Sequence, residues 1–378
     1  MQLLYNFRTS LKLKDYLNFN LLICRVLIIF GTMNTMTVQP LSDKNTRAYK
    51  NYNRVLPFFR ELIFNPENSV SDYWSEEING FEYIFEASPS IINNLRHHCY
   101  HITGEFPYGY RNHHNFNTGK FKSKLDLLNS IIEKDILIPE PSILGGFGHK
   151  IYGKLINKDT LKYFESLIAL EKTGILNELN KNETPVICEI GAGWGGFTHC
   201  LSETINKAKF VIVDLPETLI FSYIYLSELY PDKTIKLYDF ETTSINDCDF
   251  LLIPGDRFEE YSNGLDLTVN LCSFQEMTSP QVEKYIKKVS EQNSKFIYSL
   301  NRDLNKNNSL LKKPVSEIIS SNYEIDHIEL LNISYTDINS LNNKVSYIKI
   351  IKNIVKKLLR KPNEKSNFDY QHIFGKIN

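Results

Sequence analysis

The residues whose types and spacing could do chemistry are concentrated mid-chain, where positions 189 to 196 read EIGAGWGG. Glycines 191, 193 and 196 spell G-x-G-x-x-G, whereas Glu189 with Gly191, Gly193 and Gly195 spells E-x-G-x-G-x-G. Either pattern suits a strand-to-helix turn, because glycine lets the backbone turn tightly and approach a ligand with no Cβ in the way. The ligands differ. The first spelling belongs with a nicotinamide or flavin dinucleotide, whose pyrophosphate sits on the helix N-terminus. The second belongs with S-adenosylmethionine, which has no phosphate and carries a zwitterionic amino-acid end and a cationic sulfonium. Glu189 favours the second, since its carboxylate would repel a pyrophosphate in a poorly solvated site. Trp194 is also bulky for a pyrophosphate loop. Asp214, which ends the apolar run KFVIVD, can accept both ribose hydroxyls in either reading. A glycine-rich turn that holds no ligand is the bland alternative.

Methyl transfer to an alcohol is an in-line displacement, so donor and acceptor must be aligned and the hydroxyl proton must be removed. Glu276, in NLCSFQEMTSP, is the leading base, because its apolar surroundings would desolvate the carboxyl and raise its pKa. His149, in GGFGHK, falls on a glycine-rich loop where a lid is expected, and with His97 it is a reserve base. His97 and His101 are placed one turn apart on a helix flank. His98 shares that helix's apolar stripe and reads as a core histidine, and His199 as a structural or surface residue. No H-E-x-x-H or Cys/His spacing is present, so no metal is expected.

These residues need elements to hold them. From Pro185 onward short apolar strands alternate with helices, which predicts a parallel sheet covered on both faces. Strands are expected at 186–190, 210–214, 249–254, 266–272 and 295–300, with helices at 197–206, 217–230 and 280–291. Two more strands, YEIDHIELLN and KVSYIKIIKN, complete a seven-stranded sheet. The front third reads as helical. One helix is expected over 88–103, with Ser88 as N-cap, Pro89 in the first turn and Gly104 past the end. KSKLDLLNSIIEKDIL forms another, and a further helix carries Leu161, Phe164, Leu167 and Ile168 on one side. Bulk composition is that of an ordinary globular protein, with 42% hydrophobic and 23% charged residues. The net charge of −1 offers no long basic face for nucleic acid. Six scattered cysteines without a C-x-x-C pair point to reduced thiols and a cytoplasmic setting. FNLLICRVLIIFG near the start is short and broken by Arg25, so no stable membrane insertion is expected.

Several stretches together resemble one family, the sugar O-methyltransferases of bacterial surface-polysaccharide gene sets. The resemblance rests on EIGAGWGGFT, VIVDLPETLIFSYIYLSELYP, LDLTVNLCSFQEM and YSLNRD, and extends to LRHHCYHITGEFPYG and GGFGHKIYGKLINKDTLKYFESL. It implies a Rossmann-like α/β methyltransferase using S-adenosyl-L-methionine on a sugar hydroxyl of a glycan or nucleotide-sugar precursor. Glu189, Gly191, Gly193, Trp194 and Gly195 then form the cofactor loop and Asp214 the ribose acid. Asp256, in LLIPGD, would reach the adenine amino group, in competition with Asp239 for the third-strand position. Asn270 lies on the fourth strand, whose end faces the transferred methyl. The implied organisation is a leader over 1–36, a helical substrate-cap domain over 37–150, the methyltransferase domain over 151–352 and a loose tail over 353–378. A dinucleotide-dependent oxidoreductase acting on a nucleotide sugar, and a non-catalytic binding subunit of methyltransferase shape, remain as alternatives.

Overall fold

The computed structural model describes residues 44–64, 72–111, 115–331 and 369–378. The leader over 1–36 and the strand expected in KVSYIKIIKN lie outside these residues. Helices α1 (Arg47–Phe64), α2 (Asp72–Phe81), α3 (Pro89–Asn93), α4 (Tyr100–Thr103) and α5 (Asn115–Asn129) come first. A hairpin of β1 (His149–Ile151) and β2 (Lys154–Ile156) leads into α6 (Lys158–Thr173) and α7 (Ile175–Leu179). The alternating part follows as β3 (Val186–Ile190), α8 (Gly196–Thr204), β4 (Lys209–Asp214), α9 (Pro216–Leu229), β5 (Ile235–Leu237) and β6 (Phe250–Pro254). It closes with β7 (Leu267–Leu271), α10 (Ser279–Glu291), β8 (Phe296–Arg302), α11 (Val315–Ser320), β9 (Tyr323–Ile328) and β10 (Tyr370–Ile377).

Among the described residues the main sheet has eight strands, in the order β5-β6-β4-β3-β7-β8-β10-β9. All pairs from β5 through β8 are parallel, while β10 is antiparallel to both neighbours. This is a Rossmann-like α/β sheet. Two of its strands are not among the seven expected, β5 from TIKLYDF, a short outer edge, and β10; LLIPGD supplies β6, the strand beside β4. Alternation along each strand splits the core in two. Ile187, Phe210, Ile212, Val269 and Tyr298 face one apolar layer, and Cys188, Val211, Val213 and Ile297 face the other. Val55, Phe59, Phe81 and Ile92 from the front helices join the first layer, so α1, α2 and α3 share the sheet's core, while Phe121, Leu125 and Leu128 of α5 form a third cluster with Ile151, Ile156 and Leu161. Among the described residues, no helix is long and apolar enough to cross a membrane.

Three expectations need correction. The helix over 88–103 keeps its start, with Ser88 as N-cap and Pro89 next, and its end at Gly104 in the left-handed conformation. Its middle is broken into α3, a 3-10 turn at Leu95–His98 and α4. At Asn94 φ is −122°, and the Arg96 N–H donates to Leu144 O at 2.9 Å instead of to its own helix. His97 and His101 therefore do not share a helix flank. The helix expected to run through KSKLDLLNSIIEKDIL begins earlier and ends at Asn129. The tail is not loose at its end, because β10 sits inside the sheet between β8 and β9.

Gly375 marks how tightly β10 is clamped. A Cβ there would come within 2.7 Å of Ile297 Cγ2 and 3.0 Å of Tyr323 Cβ. Gly375→Val should lower stability by about 1–3 kcal/mol through overpacking, seen as a lower urea midpoint. An unchanged midpoint would mean that β10 is not held between its neighbours as described.

Candidate active site

Strand β3 lies between β4 and β7, and connections leave it in opposite directions, which makes its carboxyl end the sheet's switch point and the expected ligand crevice. A cavity of about 130 Å³ opens there. Its floor is the glycine loop with Glu189 and Asp214, at the ends of β3 and β4. Glu276, in the 3-10 turn Phe274–Glu276 after β7, and Tyr285 of α10 form one wall. Helices α2, α4 and α6 add Trp74, Ile102 with Thr103, and Lys162.

Local sequence explains the loop. Gly191, Gly193 and Gly195 all have positive φ, at 70°, 58° and 84°, which is the E-x-G-x-G-x-G spacing. Gly196 has ordinary φ but must lack a Cβ because Trp194 and Tyr163 fill the space. Space above the loop is equally scarce. A Cβ on Gly191 would overlap Ser273, and one on Gly193 would lie 2.6 Å from Ile102 Cγ2. The loop is fastened by Gly191 N–H to Val213 O at 2.7 Å, and by Ser222 Oγ to Gly193 O at 2.6 Å.

Glu189 is 2% exposed and accepts a hydrogen bond from Thr198 Oγ1. Burial pushes its pKa up to about 8, helped by the neighbouring Asp214 and opposed by the Thr198 hydrogen bond. Asp214 accepts the Gly193 N–H at 2.6 Å and the Leu215 N–H at 2.7 Å. Burial raises its pKa as well, opposed by a hydrogen bond from the Thr218 side chain and by the two backbone N–H groups. A carboxylate has about four acceptor positions, so Asp214 keeps capacity for a ligand. Glu276 is also pushed up to about 8 by burial, opposed by the Lys162 ammonium and by a hydrogen bond from Trp74. Cys272, at the exit of β7, holds φ 64°, a strained value for a residue with a side chain, and it too faces the cavity.

Behind the loop lies a buried ionic network. The Arg96 guanidinium, 0% exposed, stacks 3.5 Å over the Trp194 ring. It donates to both oxygens of Glu140, at 2.7 and 3.3 Å, and to Asp159 Oδ2 at 3.5 Å. Asp159 Oδ1 in turn accepts Lys162 Nζ at 3.1 Å. Trp194 is thus turned into the core, edge-on to Tyr225 at 4.7 Å.

The cavity gathers Glu189, the loop glycines with Trp194, Asp214 and Glu276. Asn270, Asp256, His149 and His97 are not among its lining residues. Asn270 is buried within the sheet, donating to Ile190 O at 2.8 Å and accepting from Asn301 Nδ2 at 2.7 Å. Asp256 caps the 3-10 turn Arg257–Glu260 by accepting the Arg257 N–H at 3.1 Å; the preceding Gly255 lies against the hydroxyl of Tyr285, which lines the cavity. His149 is buried among Tyr110 and Phe121, bonded to Thr118 at 3.0 Å. His97 is exposed, beside the Phe147 ring. His98 meets Tyr83 and His101 meets Glu77, each at 2.8 Å. His199, bonded to Tyr230 at 2.7 Å, is pushed down to about 4 by burial. Among the described residues, no three His, Cys, Asp or Glu side chains come together as a metal site. Sequence reasoning missed Lys162, Trp74 and Tyr285. The signal for Lys162 was the pair Asp159 and Lys162, three apart in a helix buried on nearly every side.

No protein-family model matches the chain, and no curated protein does. Among solved structures it is similar to the PH0226 protein of Pyrococcus horikoshii OT3, at 10% identity and TM-score 0.36, covering 59% of this chain and 94% of that one. A SAM-dependent methyltransferase from Aquifex aeolicus matches at 14% identity and TM-score 0.29, over 46% of this chain and 93% of that one. The pyocyanin biosynthetic protein PhzM matches at 10% identity and TM-score 0.32, over 56% of this chain. The chain spans little more than half of PhzM, 57% of its length. Likenesses this distant leave the chemistry to the site itself.

Removing one partner from a buried ionic network strands the others without compensation, at about 3–5 kcal/mol. Arg96→Met should therefore lower the melting temperature by several degrees or more. Arg47→Met, which breaks an exposed pair with Glu228, should change it little. Equal, small effects of both would show that Arg96 does not hold the loop to α6.

Proposed function

We propose that the protein is an S-adenosylmethionine-dependent O-methyltransferase acting on a sugar hydroxyl of a glycan or nucleotide-sugar precursor. The observation that carries this reading is the convergence of Glu189, Asp214 and the glycine loop on one cavity. The donor set fits this cofactor. Glu189 offers a desolvated carboxylate to the positively charged amino-acid end, and Asp214 has acceptor capacity left for ribose hydroxyls. Gly191 and Gly193, whose missing Cβ atoms let Ser273 and Ile102 close in on the loop, bring the backbone to the cavity floor. A pyrophosphate would offer Glu189 no cation and would hold its carboxyl in the neutral form, since like charges in a desolvated site repel. Asp256, outside the cavity lining but close enough for its charge to act on Tyr285, would reach the adenine edge only by turning from its cap towards the cavity.

The bound cofactor supplies a methyl group on a sulfonium, ready for displacement. The chain's own residues would do the rest. The roof of Trp74, Ile102 and Thr103 would exclude water and set the acceptor's approach. Glu276 would take the hydroxyl proton, its carboxylate steadied by Trp74. With its pKa pushed up to about 8, Glu276 is matched to a base working near neutrality. The acceptor as a sugar rests on the sequence resemblance, together with a cavity that mixes carboxylates with aromatic walls.

Two outcomes are expected. In the free protein at pH 7 Glu189, raised to about 8, is mostly protonated. A bound α-ammonium favours the carboxylate, so S-adenosylhomocysteine should expel a proton on binding. Calorimetry in buffers of different ionisation enthalpy should then give different apparent heats. NAD should give none; NAD binding without any response to S-adenosylhomocysteine sinks the reading. In Glu276→Gln, cofactor affinity and fold should persist while turnover falls about 100-fold or more. Wild-type turnover should rise with pH and level off above about 8, since only the ionised carboxylate accepts the proton. Near-normal turnover of the variant would remove Glu276 from that role.

A further inference from the structure

Lys162 is the one cationic side chain among the described residues that line the cavity, set against Glu189, Asp214 and Glu276. We propose that Lys162 anchors the α-carboxylate of the donor's amino-acid end while Glu189 takes its α-ammonium. The inference rests on the reading of the loop as an S-adenosylmethionine site, and adds a ligand contact that the glycine motif does not contain.

Geometry supports the assignment. Lys162 sits three residues after Asp159 on α6, and Asp159 Oδ1 holds its Nζ at 3.1 Å. Its side chain is 15% exposed, the exposed part belonging to the cavity wall. An ammonium has three donors, and Asp159 takes one. Asp159 is not a simple counter-ion, because its other oxygen meets Arg96 at 3.5 Å, and Arg96 is bound by Glu140. The four charges alternate in sign, from Glu140 through Arg96 and Asp159 to Lys162, and sum to zero. The network therefore fixes an ammonium at the cavity wall without adding net charge to the protein interior.

A zwitterion requires both signs within a few ångströms. Glu189 supplies the anion at the floor, and Lys162 supplies the cation from the adjoining helix. A partly desolvated ammonium with donors to spare favours an anionic ligand group. The ligand's carboxylate provides that group without disturbing the pairs behind it.

The test compares two ligands on two proteins, by calorimetry. S-adenosylhomocysteine carries the amino-acid end, and 5′-methylthioadenosine lacks it. Lys162→Met should weaken S-adenosylhomocysteine about 10- to 100-fold, the range for a charge-assisted hydrogen bond, and leave 5′-methylthioadenosine unchanged. Unchanged affinity for both would overturn the proposal and leave Lys162 to act on Glu276, seen as a shifted pH–rate profile. An equal loss for both would overturn it too, since Lys162 would then only shape the cavity. Should the variant fail to fold, the wild type decides alone. It should bind decarboxylated S-adenosylhomocysteine more weakly than the parent by a similar factor, and equal affinities would overturn the proposal. If the wild type binds none of these ligands, the parent reading falls and this one with it.

Discussion

The arrangement depends above all on the Arg96 guanidinium held 3.5 Å over the Trp194 ring in a site closed to water. A buried cation is tolerated only where counter-ions and hydrogen bonds replace its hydration. Glu140 comes from the loop before the hairpin, Asp159 from α6 and Trp194 from the glycine turn, so satisfying one side chain fixes three distant segments. The broken helix follows from the same demand. To turn Arg96 inward, the backbone gives up helical hydrogen bonds at Asn94 and borrows the Leu144 carbonyl. Such a network adds little net stability against an apolar replacement; its effect is to define one arrangement of the front third over the sheet.

The sheet sets the electrostatics of the other half of the site. Glu189 and Asp214 end neighbouring parallel strands at the point where chain direction reverses, and the front helices close over them. Removing water raises the pKa of both acids and of Glu276 by the same physical cause, and the loop's own N–H groups partly offset it at Asp214. The cavity is therefore a place where carboxylates are short of positive charge. A cationic ligand entering it relieves a strain that the fold itself creates.

Much of this was legible in the sequence. The strands β3, β4, β6, β7 and β8 stand where apolar runs alternate with helical segments, because strands buried on both faces must be apolar along their length. The loop, Glu189 and Asp214 were legible because glycine spacing and a terminal acid are local signals. Glu276 reached the cavity wall for the same reason, as it follows a strand end directly. What could not be read were the groups that arrive from far along the chain. Trp74 and Lys162 look like ordinary helix residues until α2 and α6 fold over the sheet. His149 looked like a lid residue because it sits on a glycine-rich loop, yet Gly146 and Gly148 are packed against the Pro141 and Ile156 backbone. The final strand was misread because GKIN ends a polar stretch, and its partners are set by pairing rather than by local pattern.

The placement of β10 carries a kinetic consequence. Although last of the described strands in chain order, it lies between β8 and β9, so β9 has no neighbour among the described strands until β10 arrives. The two are separated by the long stretch 329–369, and non-local pairing of this kind is slow to nucleate. A nascent chain would complete the switch point and glycine loop first and leave the β8 edge open. An open edge of buried-type residues is a template for pairing with another chain. Assembly of this sheet thus passes through a stage in which the ligand site is built but the far edge is adhesive, the stage at which crowding and chaperones bear on yield.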